Sequence, residues 1–137
     1  MNTTLTSRLL LLPVLLLIIA AKPLVDPPPI DTPSKLSAKE VHDSLQRTLV
    51  NRNWILKGEP EPGVIVATLV VRTHSLTVRF TVADNRIAMN YVDSVNLDYA
   101  VRRDGTRVIH RKYEGWMFNL STAISRDLQL LALEKPD

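Results

Sequence analysis

The chain has 137 residues, no cysteine, and 17 basic against 14 acidic residues, which gives a formal net charge of +3. This length suits a single domain, and the near balance of charge argues against a nucleic-acid partner. Because cysteine is absent, disulfides, thiol catalysis and thiolate metal sites are excluded. Stability must come from an apolar core, and we expect no cofactor.

The N-terminus has the features of a secretory signal peptide. Arg8 precedes an apolar run from Leu9 to Ala21, interrupted only by Pro13, and polarity returns at Lys22. An uncleaved membrane anchor is the alternative, but the run is shorter than the roughly 20 residues that cross a bilayer. The sequence therefore predicts a signal peptide over residues 1–21, cleaved after Ala21, and a periplasmic or secreted product.

Residues 22–36 contain five prolines, at positions 23, 27, 28, 29 and 33. This composition predicts an extended, semi-rigid linker that precedes the folded domain. Ser37 and Glu40 then form the pattern of a capping box, which starts a helix. Apolar residues at intervals of three and four extend this predicted helix to about Val50.

Four antiparallel strands follow in the prediction. Placing one turn at residues 74–75 sets Leu69 opposite Phe80, and placing the next at residues 84–85 sets Phe80 opposite Met89. Both turns separate apolar from polar side chains onto the same two faces, as a half-buried sheet requires.

A shorter strand, from Trp54 to about Lys57, begins the sheet, with Trp54 and Leu56 on its buried face. After an irregular stretch and an Asp104–Gly105 turn, an apolar stripe predicts a long helix over about residues 106–133. We thus expect a single α+β domain over residues 37–134. It is a two-layer sandwich of helix, four-stranded antiparallel meander and long helix, with both helices on one sheet face.

Spaced motifs between residues 38 and 128 are similar to those of a known family. They are Asn53-Trp54, Pro62-Gly63-Val64-Ile65-x-Ala67, Arg72-x-His74 with Val78, Tyr91-x-Asp93-Ser94-x-Asn96-Leu97-x-Tyr99 and Ile109-His110-x-x-Tyr113-x-x-Trp116-x-x-Asn119-Leu120. The combination resembles a family of small uncharacterised exported proteins and lipoproteins of proteobacteria. The resemblance implies location in the cell envelope and supplies no activity. Members often carry a lipoprotein cysteine, which this chain lacks.

Polar groups cluster where the third strand of the meander approaches the last helix. They are Tyr91, Asp93, Ser94, Asn96, Tyr99, His110 and Tyr113. One interpretation is a structural network, because buried polar groups must be paired. The other is a small pocket that binds a ligand or supports weak hydrolysis.

Catalysis and metal binding have little support in the sequence. A Ser94–His110–Asp93 set is disfavoured because neighbours on a strand point in opposite directions. The three histidines lie on separate segments without the short spacing of a zinc site. We therefore predict no catalytic residues and no metal ligands.

Two surfaces are candidates for binding. The open sheet face is β-branched, with residues Val70, Arg72, Arg79, Asn90 and Val92. A basic cluster surrounds the predicted start of the last helix, with residues Arg102, Arg103, Arg107 and Arg111.

The sequence thus favours a non-catalytic binding domain for a protein or envelope component. The basic cluster would suit an anionic partner and a peripheral membrane contact. For that cluster the alternative is a solvated charged loop, which is the commoner explanation for a run of charges. The alternative is a small-ligand binder or hydrolase built on the polar cluster. A flat surface would favour the first interpretation, and a concave pocket holding His110 and an acid would favour the second.

Overall fold

A computed structural model describes residues 21–137. The predicted signal peptide therefore lies outside the described residues, except for Ala21. The elements are β1 (Ala21–Pro23), β2 (Ile30–Asp31), α1 (Ala38–Asn51), β3 (Trp54–Gly58), β4 (Val64–Val71), β5 (His74–Ala83), β6 (Arg86–Val95), β7 (Ala100–Val101), β8 (Arg107–His110) and α2 (Lys112–Glu134).

The strands form two antiparallel sheets. The larger has the order β2-β6-β5-β4-β3, so the predicted four-stranded meander is present and β2 adds a fifth strand at its edge. The smaller has the order β1-β8-β7. The buried side chains of both helices join the same core as the inward side chains of the larger sheet. The α+β class, with both helices on one sheet face, is confirmed.

The first helix begins as predicted. The backbone N–H of Glu40 donates to Ser37 Oγ at 3.1 Å, and the N–H of Ser37 donates to Glu40 Oε2 at 2.8 Å. This capping box satisfies N–H groups that have no partner within the helix. Inside the fold, Thr48 Oγ1 donates to Asp127 Oδ2 at 2.7 Å and joins the two helices.

The hairpin between β5 and β6 has the predicted register. Asp84 and Asn85 form the turn with φ angles of 52° and 58°, a conformation these residue types tolerate. Phe80 lies opposite Met89, and Val82 lies opposite Ile87.

The predicted register of the preceding hairpin is wrong. The turn is at Arg72–Thr73 rather than residues 74–75, so Leu69 lies opposite Leu76, and Phe80 lies opposite Ile65. The displacement is an even number of residues, so the buried face keeps the same side chains.

Contacts from beyond the end of β6 hold this turn. The side-chain amide of Asn96 donates to the carbonyl of Thr73 at 2.9 Å, and His74 Nδ1 lies 2.7 Å from the carbonyl of Asn96. Arg72 adopts a φ of 56° at the turn. These contacts are distant in sequence, and the residue types of Arg72 and Thr73 gave no turn signal.

A β-bulge interrupts β6. Val78 lies opposite Tyr91 whereas Thr77 lies opposite Asp93, so Val92 is the extra residue. The bulge turns Asp93 to the open face with Thr77 and returns Ser94 to the side of Leu76. Tyr91 and Ser94 therefore share one face although they are three positions apart.

The last helix begins later than predicted. Residues 107–110 form β8, which pairs with β1 on one side and β7 on the other, and α2 starts at Lys112. Ile109, predicted to lie in the helical stripe, instead lies opposite Lys22 in the sheet. The strand partner comes from the far end of the chain, so the local pattern of residues 106–110 could not reveal it.

The proline-rich segment, residues 22–36, packs against the domain rather than standing apart from it as a linker. Leu24, Ile30 and Leu36 are buried in the common core. The packed unit therefore begins before Ser37, and the predicted cleavage point after Ala21 falls within β1. At the opposite sheet edge, Trp54 is buried as predicted but Leu56 is 37% exposed, which corrects its placement in the core.

The inward face of β5 gives a direct test of the core. Phe80 is fully buried and meets Trp54 edge-on, with ring centroids 5.9 Å apart. We expect Phe80→Ala to lower the free energy of unfolding by about 3–5 kcal/mol, because it leaves a cavity. Thr81→Ala on the opposite face should lower it by under about 1 kcal/mol. Urea denaturation measures both values, and equal losses would contradict the assigned faces.

Candidate functional site

A groove lies between the proline-rich segment and α2 in the described chain. Its volume is about 550 Å³. Its walls are mostly apolar. The residues that the argument below uses are Val25, Asp26, His110, Tyr113, Met117 and Phe118. We call this feature the α2 groove.

The outer wall of the groove is fixed at several points. β1 pairs with β8, and the backbone N–H of Leu24 donates to the carbonyl of Arg107 at 2.8 Å. Asp26 accepts hydrogen bonds from the backbone N–H of Tyr91 at 2.9 Å and from the side-chain amide of Asn90 at 3.1 Å. Residues 27–29 are all prolines and cannot pair with the edge of β6 as a strand would. The Asp26 carboxylate instead satisfies a backbone N–H on that edge.

Three tyrosines from separate parts of the chain meet beside the groove. Tyr91 stacks on Tyr99 with ring centroids 4.8 Å apart, and its ring meets Tyr113 edge-on at 6.3 Å. The hydroxyl of Tyr91 lies 2.6 Å from Ser94 Oγ. Burial raises the pKa of Tyr91, and the bond to Ser94 opposes that shift. The structure therefore unites Tyr91, Ser94, Tyr99 and Tyr113.

Tyr113 has an unusual environment. The residue lines the groove and is 3% exposed, and its buried hydroxyl has no hydrogen-bond partner within residues 21–137. Burial raises the pKa of Tyr113 to about 12, the negative charge of Asp26 adds to the shift, and Arg107 opposes it. The hydroxyl is therefore protonated at neutral pH, a donor that lacks an acceptor.

The other predicted site residues have structural contacts. Asp93 Oδ1 accepts from the backbone N–H of Ser94 at 2.8 Å. Asn96 holds the Arg72–Thr73 turn, as described above, and does not join the tyrosines. His110 Nδ1 accepts from the backbone N–H of Lys112 at 3.1 Å, at the start of α2. The structural interpretation of the polar cluster therefore accounts for Asp93 and Asn96.

His110 also lines the α2 groove, together with the acids Asp26 and Glu114. A concave pocket that holds His110 and an acid is the feature expected of the alternative reading, a small-ligand binder or hydrolase. Within the described residues Ser94 Oγ is hydrogen-bonded to the Tyr91 hydroxyl and His110 Nδ1 to the backbone of Lys112, so Ser94 and His110 are not joined by a hydrogen bond.

The open sheet face has a mixed character. Val70 and Val92 are about half exposed. Arg79 lies 3.6 Å from Glu61, and Asn90 is bonded to Asp26. Arg72 occupies the turn rather than a strand. The role of this face in binding stays a prediction.

Asp26 and the groove wall were missed by the sequence analysis. A signal was present, because Leu24, Ile30 and Leu36 recur through a segment whose prolines dominated the interpretation. An unpacked linker has no reason to carry large apolar residues at intervals. Their burial brings Asp26 to β6.

Within residues 21–137, no three His, Asp or Glu side chains are grouped closely enough to hold a metal ion. No helix in this part of the chain has the length and apolar character needed to cross a membrane. Comparisons of the chain with protein-family models, curated proteins and solved structures find no match. The family resemblance stays a prediction.

The unpartnered hydroxyl predicts an uncommon effect of mutation. Tyr113→Phe should raise the free energy of unfolding of the unliganded protein by about 1 kcal/mol, since it removes a buried polar group without a partner. Tyr91→Phe is the matched control. It should lower the free energy of unfolding by about 1 kcal/mol because it breaks the bond to Ser94. Urea denaturation measures both, and destabilisation by Tyr113→Phe would contradict the environment described for its hydroxyl.

Proposed function

We propose that this chain is an exported, non-catalytic binding domain whose ligand occupies the α2 groove. The observation that carries the proposal is that Tyr113, a residue of the groove wall, has a buried hydroxyl without a hydrogen-bond partner within residues 21–137. Buried polar groups in folded proteins are nearly always hydrogen-bonded, and a ligand is one way to supply the missing partner. Export is supported by the signal-peptide features of residues 1–21.

The dimensions and charges of the groove define the ligand class. A volume near 550 Å³ lies within the usual range of small-molecule sites, which are mainly apolar with a few polar groups. Lys22 and Glu114 form an ion pair at 2.9 Å, and the Asp26 carboxylate already accepts two hydrogen bonds. The ligand is therefore a mainly apolar molecule with one hydrogen-bond acceptor, such as a carbonyl oxygen, for Tyr113.

Binding is favoured over hydrolysis by the hydrogen-bond pattern. A nucleophilic serine needs a base within hydrogen-bond reach. Ser121, the serine of the groove, instead donates to Met89 Sδ at 3.7 Å, and Ser94 is bonded to Tyr91. His110 lines the groove wall, and its Nδ1 already accepts a hydrogen bond from the backbone N–H of Lys112.

A neutral fluorescent probe tests the groove. N-phenyl-1-naphthylamine should bind the protein saturably, because the groove walls are apolar. Phe118→Ala removes an apolar wall and should weaken binding by about tenfold. Leu133→Ala, which truncates another exposed apolar residue near the other end of α2, is the control and should leave binding unchanged. Fluorescence titration measures the dissociation constants.

Two results would contradict the proposal. One is the absence of saturable binding to the native protein. The other is equal weakening by Phe118→Ala and Leu133→Ala, which would place the probe on exposed apolar surface in general. Circular dichroism spectra of both variants establish that their folds are intact.

A further inference from the structure

The hairpin of β7 and β8, continued to the start of α2, carries a concentration of positive charge. Residues 102–112 include five basic side chains and a single acid, Asp104. The five are Arg102, Arg103, Arg107, Arg111 and Lys112, and all are exposed. We call residues 99–112 the basic hairpin.

These cations have no ionic partners in the part of the chain that the structure describes. Lys22, Lys35, Lys39 and Lys135 each lie in an ion pair, but the five cations of the basic hairpin do not. Asp104 is engaged in shaping the turn, because its Oδ1 accepts from the backbone N–H of Thr106 at 2.9 Å. That bond and the charge of Arg102 help to lower the pKa of Asp104. The local charge is therefore strongly positive and uncompensated by ion pairs.

Apolar side chains are exposed among these cations. Val101 is 59% exposed and lies opposite Arg107 in the hairpin. Tyr99 is 39% exposed, with one ring face against Tyr91. A β-branched side chain and an aromatic ring beside arginines match a bilayer surface, where the apolar groups enter between headgroups and the guanidinium groups bind phosphates.

We propose that the basic hairpin docks the domain on a lipid surface that contains anionic headgroups. Charge complementarity supplies the attraction, and Val101 and Tyr99 supply a shallow apolar contact. The α2 groove lies beside this surface, since β8 carries Arg107 within the hairpin and His110 in the groove wall. Docking is independent of whether the groove is filled.

The experiment is vesicle co-sedimentation with the chain from residue 21 to residue 137 and its variants. Vesicles of phosphatidylcholine with 30 mol% phosphatidylglycerol (about a third anionic, enough for a marked surface potential) should bind the protein. Vesicles of phosphatidylcholine alone should not. Binding should weaken steeply as salt rises from about 0.05 to 0.5 M, because the charges are exposed and the Debye length shortens.

The charge variant is Arg102→Gln, Arg103→Gln and Lys112→Gln combined. Arg107 stays native because its charge acts on Tyr91 and Tyr113, and Arg111 stays native because it lines the groove. We expect vesicle affinity to fall about 100-fold, from loss of three cations near the surface.

The matched control is Arg47→Gln, Arg52→Gln and Lys57→Gln combined. These three cations are also exposed, and they form no ion pair within residues 21–137. The control changes net charge equally and should reduce affinity less than threefold, because only the total charge is altered. Val101→Ser should reduce affinity several-fold while preserving the salt dependence, since it removes apolar contact alone.

Three outcomes would overturn the proposal. The first is equal binding to vesicles with and without phosphatidylglycerol. The second is equal loss in the charge variant and its control, which would indicate a response to net charge alone. The third is binding to soluble heparin with no binding to anionic vesicles, which would indicate an acidic polymer as the partner. None of these outcomes bears on probe binding in the α2 groove.

Discussion

The pairing of β1 with β8 is the interaction on which the other features depend. It joins Ala21–Pro23 to residues 108–110. Residues 108–110 therefore form a strand, although their sequence has helical periodicity. Because residues 107–110 are in a strand, α2 cannot begin before them. The same pairing places the proline-rich segment alongside the helix. Burial of Leu24 and Ile30 then holds the segment in place. The α2 groove exists because two chain regions, far apart in sequence, form its opposite walls.

The tyrosines beside the α2 groove differ in how their polar groups are hydrogen-bonded. The backbone N–H and the hydroxyl of Tyr91 are both hydrogen-bonded: the N–H donates to Asp26, and the hydroxyl bonds to Ser94. Tyr113, next to it, has a buried hydroxyl with no hydrogen-bond partner in the part of the chain that the structure describes. A buried donor left unpaired costs on the order of 1–3 kcal/mol, which is a substantial fraction of a small domain's stability. Under the proposal that a ligand occupies the α2 groove, binding would supply the hydrogen bond that this hydroxyl lacks.

The groove and the basic hairpin share β8 but use different physical forces. The proposed groove ligand would be held by apolar walls and one hydrogen-bond donor, so salt should affect its binding little. The proposed membrane contact of the hairpin would depend on exposed charge, so salt should screen it. If both proposals hold, one domain could approach an anionic surface and hold an apolar molecule through separate contacts. Arg107 lies between the two regions, because its charge also acts on the hydroxyl of Tyr113.

Local signals in the sequence determined the capping box at Ser37, the Asp84–Asn85 turn and the side of the sheet that is buried. Each depends on neighbouring residues or on a period of two. The predicted buried face was correct although the turn position was wrong, because the error was an even number of residues. For the candidate site, the sequence grouped Tyr91, Ser94, Tyr99, His110 and Tyr113 but overlooked Asp26. Only the tertiary structure decided the register at Arg72–Thr73, the strand at residues 107–110 and the packing of the proline-rich segment. Those features depend on contacts between residues distant in the chain, such as Asn96 with Thr73 and Lys22 with Ile109, which no local pattern encodes.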